Sequence, residues 1–124
     1  MEKKRILIVD DDVNMLKMLR MFLQDDYKVT IVDSGKLALD CIMKHTPDLI
    51  LLDYMMPLVD GPTVLETIRK REESKDVPVL FLTAVTDKDI ISKCLSLNPQ
   101  GYLAKPVSRD DLLSRVGEIL GGIK

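Results

Sequence analysis

Cysteine and histidine are scarce in this chain, with two of the first and one of the second among 124 residues. Cys41 and Cys94 stand far apart, each inside a helical pattern. They form neither a C-x-x-C pair nor a metal-ligand spacing, so both read as reduced, partly buried thiols. His45 precedes Thr46-Pro47 and reads as the end of a helix. No second histidine stands near it to support a relay or a soft-metal site. Apolar runs are short, none approaching membrane-spanning length, and no signal-peptide pattern precedes the first of them. Charge of either sign is not in excess: the net charge is −2, with acids and bases scattered along the chain. That gives no basic surface for nucleic acid. These absences lead us to expect a cytoplasmic protein that neither binds nucleic acid directly nor enters a membrane. The length fits one domain over residues 1–124.

What is present is a set of short apolar runs that end on oxygen-bearing side chains. Ile6–Val9 runs into Asp10, Asp11 and Asp12. Leu49–Leu52 runs into Asp53, and Val79–Leu82 into Thr83. Such runs read as buried parallel strands. Open α/β sheets place their sites at the carboxyl ends of strands, so these carboxylates and the hydroxyl should gather at one rim. Crowded carboxylates repel, and a hard cation with oxygen ligands relieves them, which favours Mg²⁺ or Ca²⁺ over a thiolate-seeking metal.

Strand-like and helix-like segments alternate from end to end. Strands are expected at 5–9, 28–32, 48–52, 77–82 and 102–104. Helices are expected at 13–24, from Ser34 to Pro47, from Asp60 to about Arg71, from Thr86 to about Leu97, and after Ser108. Ser34, Asp60 and Ser108 suit N-caps, and Asp12 suits a cap better than a metal ligand. Val13, Leu16, Leu19 and Leu23 form the apolar stripe of the first helix. Leu37, Ala38, Cys41 and Ile42 form that of the second. Five βα units imply an α/β fold of three layers, a flavodoxin-like sandwich with five helices around a five-stranded parallel sheet. The expected strand order is 2-1-3-4-5, which sets Asp10–Asp12 beside Asp53.

Four motifs in register resemble one family. They are Ile-Leu-Ile-Val-Asp-Asp-Asp (6–12), Leu-Ile-Leu-Leu-Asp-Tyr-Met-Met-Pro (49–57) with Asp60-Gly61, Phe-Leu-Thr-Ala (81–84) and Gly-Tyr-Leu-Ala-Lys-Pro (101–106). Together they resemble the receiver domain of two-component response regulators, over essentially the whole chain. The resemblance implies that Asp53 is the phosphoacceptor, attacking a phosphohistidine on a sensor histidine kinase or phosphotransfer protein. It implies Mg²⁺ held by Asp11, Asp53 and the backbone carbonyl of Met55, with Asp10 acting mainly through a bound water. Thr83 and Lys105 would meet the phosphoryl group, and Tyr102 would be the aromatic switch residue. Lys105-Pro106 is a candidate cis bond. The output would be a downstream effector domain or target protein. Such a domain is a phosphorylation-gated switch rather than an enzyme.

Departures from the family pattern are local. Leu97-Asn98-Pro99-Gln100 replaces a stretch that carries a dimer-forming acid in many DNA-binding members, which leaves the choice between monomer and homodimer open. Val107 puts a small apolar group where phenylalanine is common, on the surface by this reading. In the family the positions of Met55 and Val85 flank the phosphoryl group, and neither of these side chains can orient a hydrolytic water. They point to a long-lived acyl phosphate.

Three rivals are weighed on the same residues. A flavin-binding protein would need a Gly- or Ser/Thr-rich loop where Asp10–Asp12 stand. An aspartyl-nucleophile phosphatase would want a second acid where Met55 stands. A phosphorylation-independent interaction module is the alternative that shares the fold.

Overall fold

The computed structural model describes residues 3–84, 92, 96 and 99–121. Five strands form one parallel sheet: β1 (Arg5–Val9), β2 (Lys28–Val32), β3 (Leu49–Asp53), β4 (Val79–Thr83) and β5 (Gly101–Ala104). Their order is β2-β1-β3-β4-β5. The register sets Val9 beside Leu52 and Asp53 beside Leu82, so the carboxyl ends of the three central strands finish at one rim. β3 and β4 are buried along their whole length, because helices cover both faces.

Four helices stand among the described residues: α1 (Val13–Leu23), α2 (Gly35–Lys44), α3 (Gly61–Arg69) and α4 (Arg109–Leu120). Against the expected five, four helices can be bounded on these residues; most of the helix read over 86–97 lies outside them, and its two described residues, Ser92 and Ser96, are helical. Each helix begins on a side-chain cap. Asp12 accepts from the amides of Asn14 and Met15, Ser34 from Leu37, Asp60 from Thr63 and Ser108 from Asp111. These caps satisfy amides that have no partner within the helix.

The core divides into two clusters. Leu7, Val9, Ile50, Leu52, Val79 and Phe81 point to the α2–α3 face, where Tyr54 meets Phe81 edge-on at 5.5 Å. Ile6, Ile8, Leu49, Leu51, Leu80 and Leu82 point to the α1–α4 face. The alternation follows from the period of two along each strand.

Some expected positions are corrected. Leu37 and Val13 are exposed rather than inward-facing. Gly35, Ala38 and Ile42 form the buried row of α2, which turns Leu37 toward solvent. Val13 opens α1 at the rim, a turn before Leu16 reaches the sheet. Val107 is buried in the α1–α4 cluster rather than lying on the surface. β4 begins at Val79 instead of residue 77. Pro78 has no amide to give and joins the ladder through its carbonyl, which accepts from Ile50 at 3.0 Å.

Candidate functional site

Asp10 leaves β1 fully buried, and Asp53 ends β3 with 4% of its surface exposed. Asp11 is exposed at the same rim. One carboxylate oxygen from each of the three lies within 4.8 Å of the others, a grouping that could hold a metal ion. Burying two carboxylates side by side is costly unless a cation answers them. Lys105 answers in part. Its Nζ stands 2.8 Å from Asp10 Oδ2 and 3.3 Å from Asp53 Oδ1. Asp10 Oδ2 still takes no well-aligned hydrogen bond. An all-oxygen donor set with an undersatisfied buried oxygen fits a hard divalent cation.

Backbone amides orient the carboxylates. The Asp12 amide donates to Asp10 Oδ1 at 2.9 Å, and the Met55 amide to Asp53 Oδ1 at 3.4 Å. Burial pushes the Asp53 carboxyl up to about 7, and the neighbouring Asp10 adds to this while Lys105 opposes it. Burial alone would pull the Lys105 ammonium down. The close contact with Asp10 and the negative charges of both acids outweigh it and raise the net value.

Thr83 is buried at the end of β4, one strand from Asp53. The Lys105 amide donates to the Thr83 carbonyl at 2.8 Å, which ties the lysine's backbone to that strand end. The Lys105-Pro106 peptide is cis. Tyr102 is half-buried on β5 beside Phe81, and its carbonyl accepts from Arg115 Nη1 at 3.5 Å. The Met55 side chain is 62% exposed at the mouth of the rim. Val85 lies outside the described residues. Asp12 faces α1 as a cap and not the acid group.

Gly61 has a positioning role that the sequence reading did not assign. A Cβ there would collide with the Asp53 carbonyl and crowd Phe81, so only glycine lets α3 start this close to β3. Asp60-Gly61 could be read from sequence as a turn, and the close approach had no signal of its own.

The family model of the response regulator receiver domain matches residues 6–117. The chain belongs to that family. The receiver domain is 33% identical to the transcriptional regulatory protein RprY of Bacteroides fragilis, over 99% of this chain and 52% of that protein. It is 34% identical to the sensor histidine kinase TmoS of Ectopseudomonas mendocina, over 96% of this chain and 12% of that one. The chain thus spans from about an eighth to about half of these relatives. A solved structure, the receiver domain of the sensor histidine kinase PA1611 from Pseudomonas aeruginosa, superposes with a TM-score of 0.89 at 30% identity. The match covers 97% of this chain and 99% of that one, and that structure is described with magnesium coordinated in its active-site cleft. No helix among the described residues is long and apolar enough to cross a membrane.

Proposed function

We propose that this receiver domain accepts a phosphoryl group on Asp53 from a phosphohistidine of a sensor histidine kinase or phosphotransfer protein. The observation that carries the reading is the cluster of Asp10, Asp11 and Asp53 with Lys105 inserted between two of them. An ionised Asp53 oxygen attacks phosphorus, the O–P bond forms as the P–N bond breaks, and the electron pair returns to the imidazole, which takes a proton from solvent. Asp11, Asp53 and the Met55 carbonyl would hold Mg²⁺, with Asp10 behind a water. Bound there, Mg²⁺ supplies positive charge to the phosphoryl oxygens and favours the ionised acceptor. Lys105 adds a second positive charge beside Asp53, and the Thr83 hydroxyl would donate to a phosphoryl oxygen.

Phosphorylation then biases a two-state equilibrium through Thr83, Lys105 and Tyr102, and an effector domain or target protein reads the result. The domain is a single unit over residues 1–124 that binds no nucleic acid itself, works in the cytoplasm, and is a switch rather than an enzyme acting on other molecules. The Met55 side chain, with Val85, shields the acyl phosphate from water and lengthens its life.

Beryllofluoride, a phosphoryl mimic, tests the switch. With Mg²⁺ it should shift the amide resonances of Thr83, Tyr102 and Lys105 in the wild type and leave the Asp53→Asn variant unmoved. An unchanged wild-type spectrum would favour a phosphorylation-independent interaction module.

A further inference from the structure

A second charged feature lies at the opposite end of the sheet. A cleft of ≈ 320 Å³ opens between the first residues of β1 and β2 and the last turn of α2. Its size falls at the small end of ordinary ligand pockets. Arg5, Lys28 and Lys44 line it, with His45 beside them. Leu7, the buried Pro47 and the half-buried Cys41 supply apolar lining.

The charges here are unbalanced. Arg5 and Lys28 are direct partners across β1 and β2. Like charges placed opposite one another in a sheet repel. Among the described residues none of the three cationic side chains has an ion pair. Asp48, next to Pro47, comes to the cleft's edge through its Oδ2, which accepts from the Arg5 backbone amide at 2.7 Å, but it forms no ion pair with any of the three cationic side chains. A chain of net charge −2 thus converges three cationic side chains without ion pairs on one concave, partly apolar space.

We propose that this cleft binds a small organic phosphate, a phosphomonoester on a compact apolar body. A guanidinium fork and two ammonium groups suit a dianionic phosphate, and the Leu7–Pro47 lining suits the body. β1 separates the cleft from Asp10 by about 16 Å at the usual rise per residue, so the ligand leaves the carboxylate rim free.

The test is a titration of the ¹⁵N-labelled domain with phenyl phosphate, with inorganic phosphate and phenol as separate arms. Phenyl phosphate should give saturable shifts at the amides of Leu7, Thr30 and Cys41, and should slow alkylation of Cys41 by iodoacetamide, followed by peptide mass. Arg5→Gln with Lys28→Gln should weaken binding by about tenfold or more, the loss expected for a charged hydrogen bond, with the melting temperature held. Lys44→Gln, on α2, should weaken it independently. The proposal is overturned by non-saturable shifts, by inorganic phosphate or phenol binding as well as the ester, or by folded variants that bind unchanged.

Discussion

Lys105 stands closer to Asp10 than to Asp53, with Nζ 2.8 Å from the first and 3.3 Å from the second. Asp10 is fully buried, while a fifth of the lysine side chain remains exposed at 19%. The lysine therefore has a structural task of its own: it compensates a carboxylate that has no access to water. Removing one partner of a buried pair leaves an uncompensated charge. Lys105→Met should destabilise the metal-free domain by about 2 kcal/mol or more, below the fully buried range because this lysine is partly solvated. Urea unfolding in EDTA and in Mg²⁺ checks it, and the deficit should narrow with Mg²⁺.

The Asp53 carboxyl gives a pH dependence of definite sign. Its value is raised to about 7, so the folded state holds the proton more tightly than the unfolded chain. The stability contributed by this group is full below about pH 4 and lost as pH rises through about 7. Asp53→Asn removes the titration. The wild-type melting temperature in EDTA should fall relative to that of Asp53→Asn between pH 5 and pH 8. A constant difference across that range would contradict the assignment.

Gly61 offers a test of positioning. Gly61→Ala drives a methyl group toward the Asp53 carbonyl and Phe81. Overpacking of this kind costs about 1–3 kcal/mol. Thermal unfolding should show the loss, and phosphorylation of the variant by acetyl phosphate should be slower at a temperature where it stays folded.

Much of this arrangement was legible in the sequence, for identifiable reasons. Buried strands announce themselves as apolar runs, and the residue that ends each run marks the rim, as Asp53 and Thr83 do. Caps are equally local, since Ser34, Asp60 and Ser108 each need only an amide two or three residues ahead. What sequence could not supply depends on packing between distant segments. Leu37 lies on an apolar stripe yet faces solvent, because Gly35, Ala38 and Ile42 are the row that meets the sheet. Val107 is drawn into the core by α1 and α4. Gly61 reads as a turn residue until β3 is set against it. The basic cleft needs Arg5, Lys28 and Lys44 from three elements, and their convergence is visible only after folding.

Leu58 is a strained residue with nothing to lose. It is fully exposed and holds φ at +68°, a conformation unfavourable for any side chain with a Cβ. Leu58→Gly should stabilise the domain by about 0.5–1 kcal/mol, because relief of left-handed strain exceeds the entropy that glycine adds to the unfolded chain. Chemical denaturation with an unchanged slope checks it.

Under the proposed function, Met55 and Val85 have a part in the lifetime of the acyl phosphate. Met55→Asn with Val85→Glu introduces groups that can orient a water. That double variant should lose its phosphoryl group faster than the wild type, as followed by the decay of the phosphorylated mass after donor removal.

Intact mass after incubation with acetyl phosphate tests the account at its centre. The wild type should gain one phosphoryl group in Mg²⁺ and none in EDTA, and Asp53→Asn should gain none in either. A folded wild type that gains nothing, or a variant that gains as much, would contradict Asp53 as the acceptor.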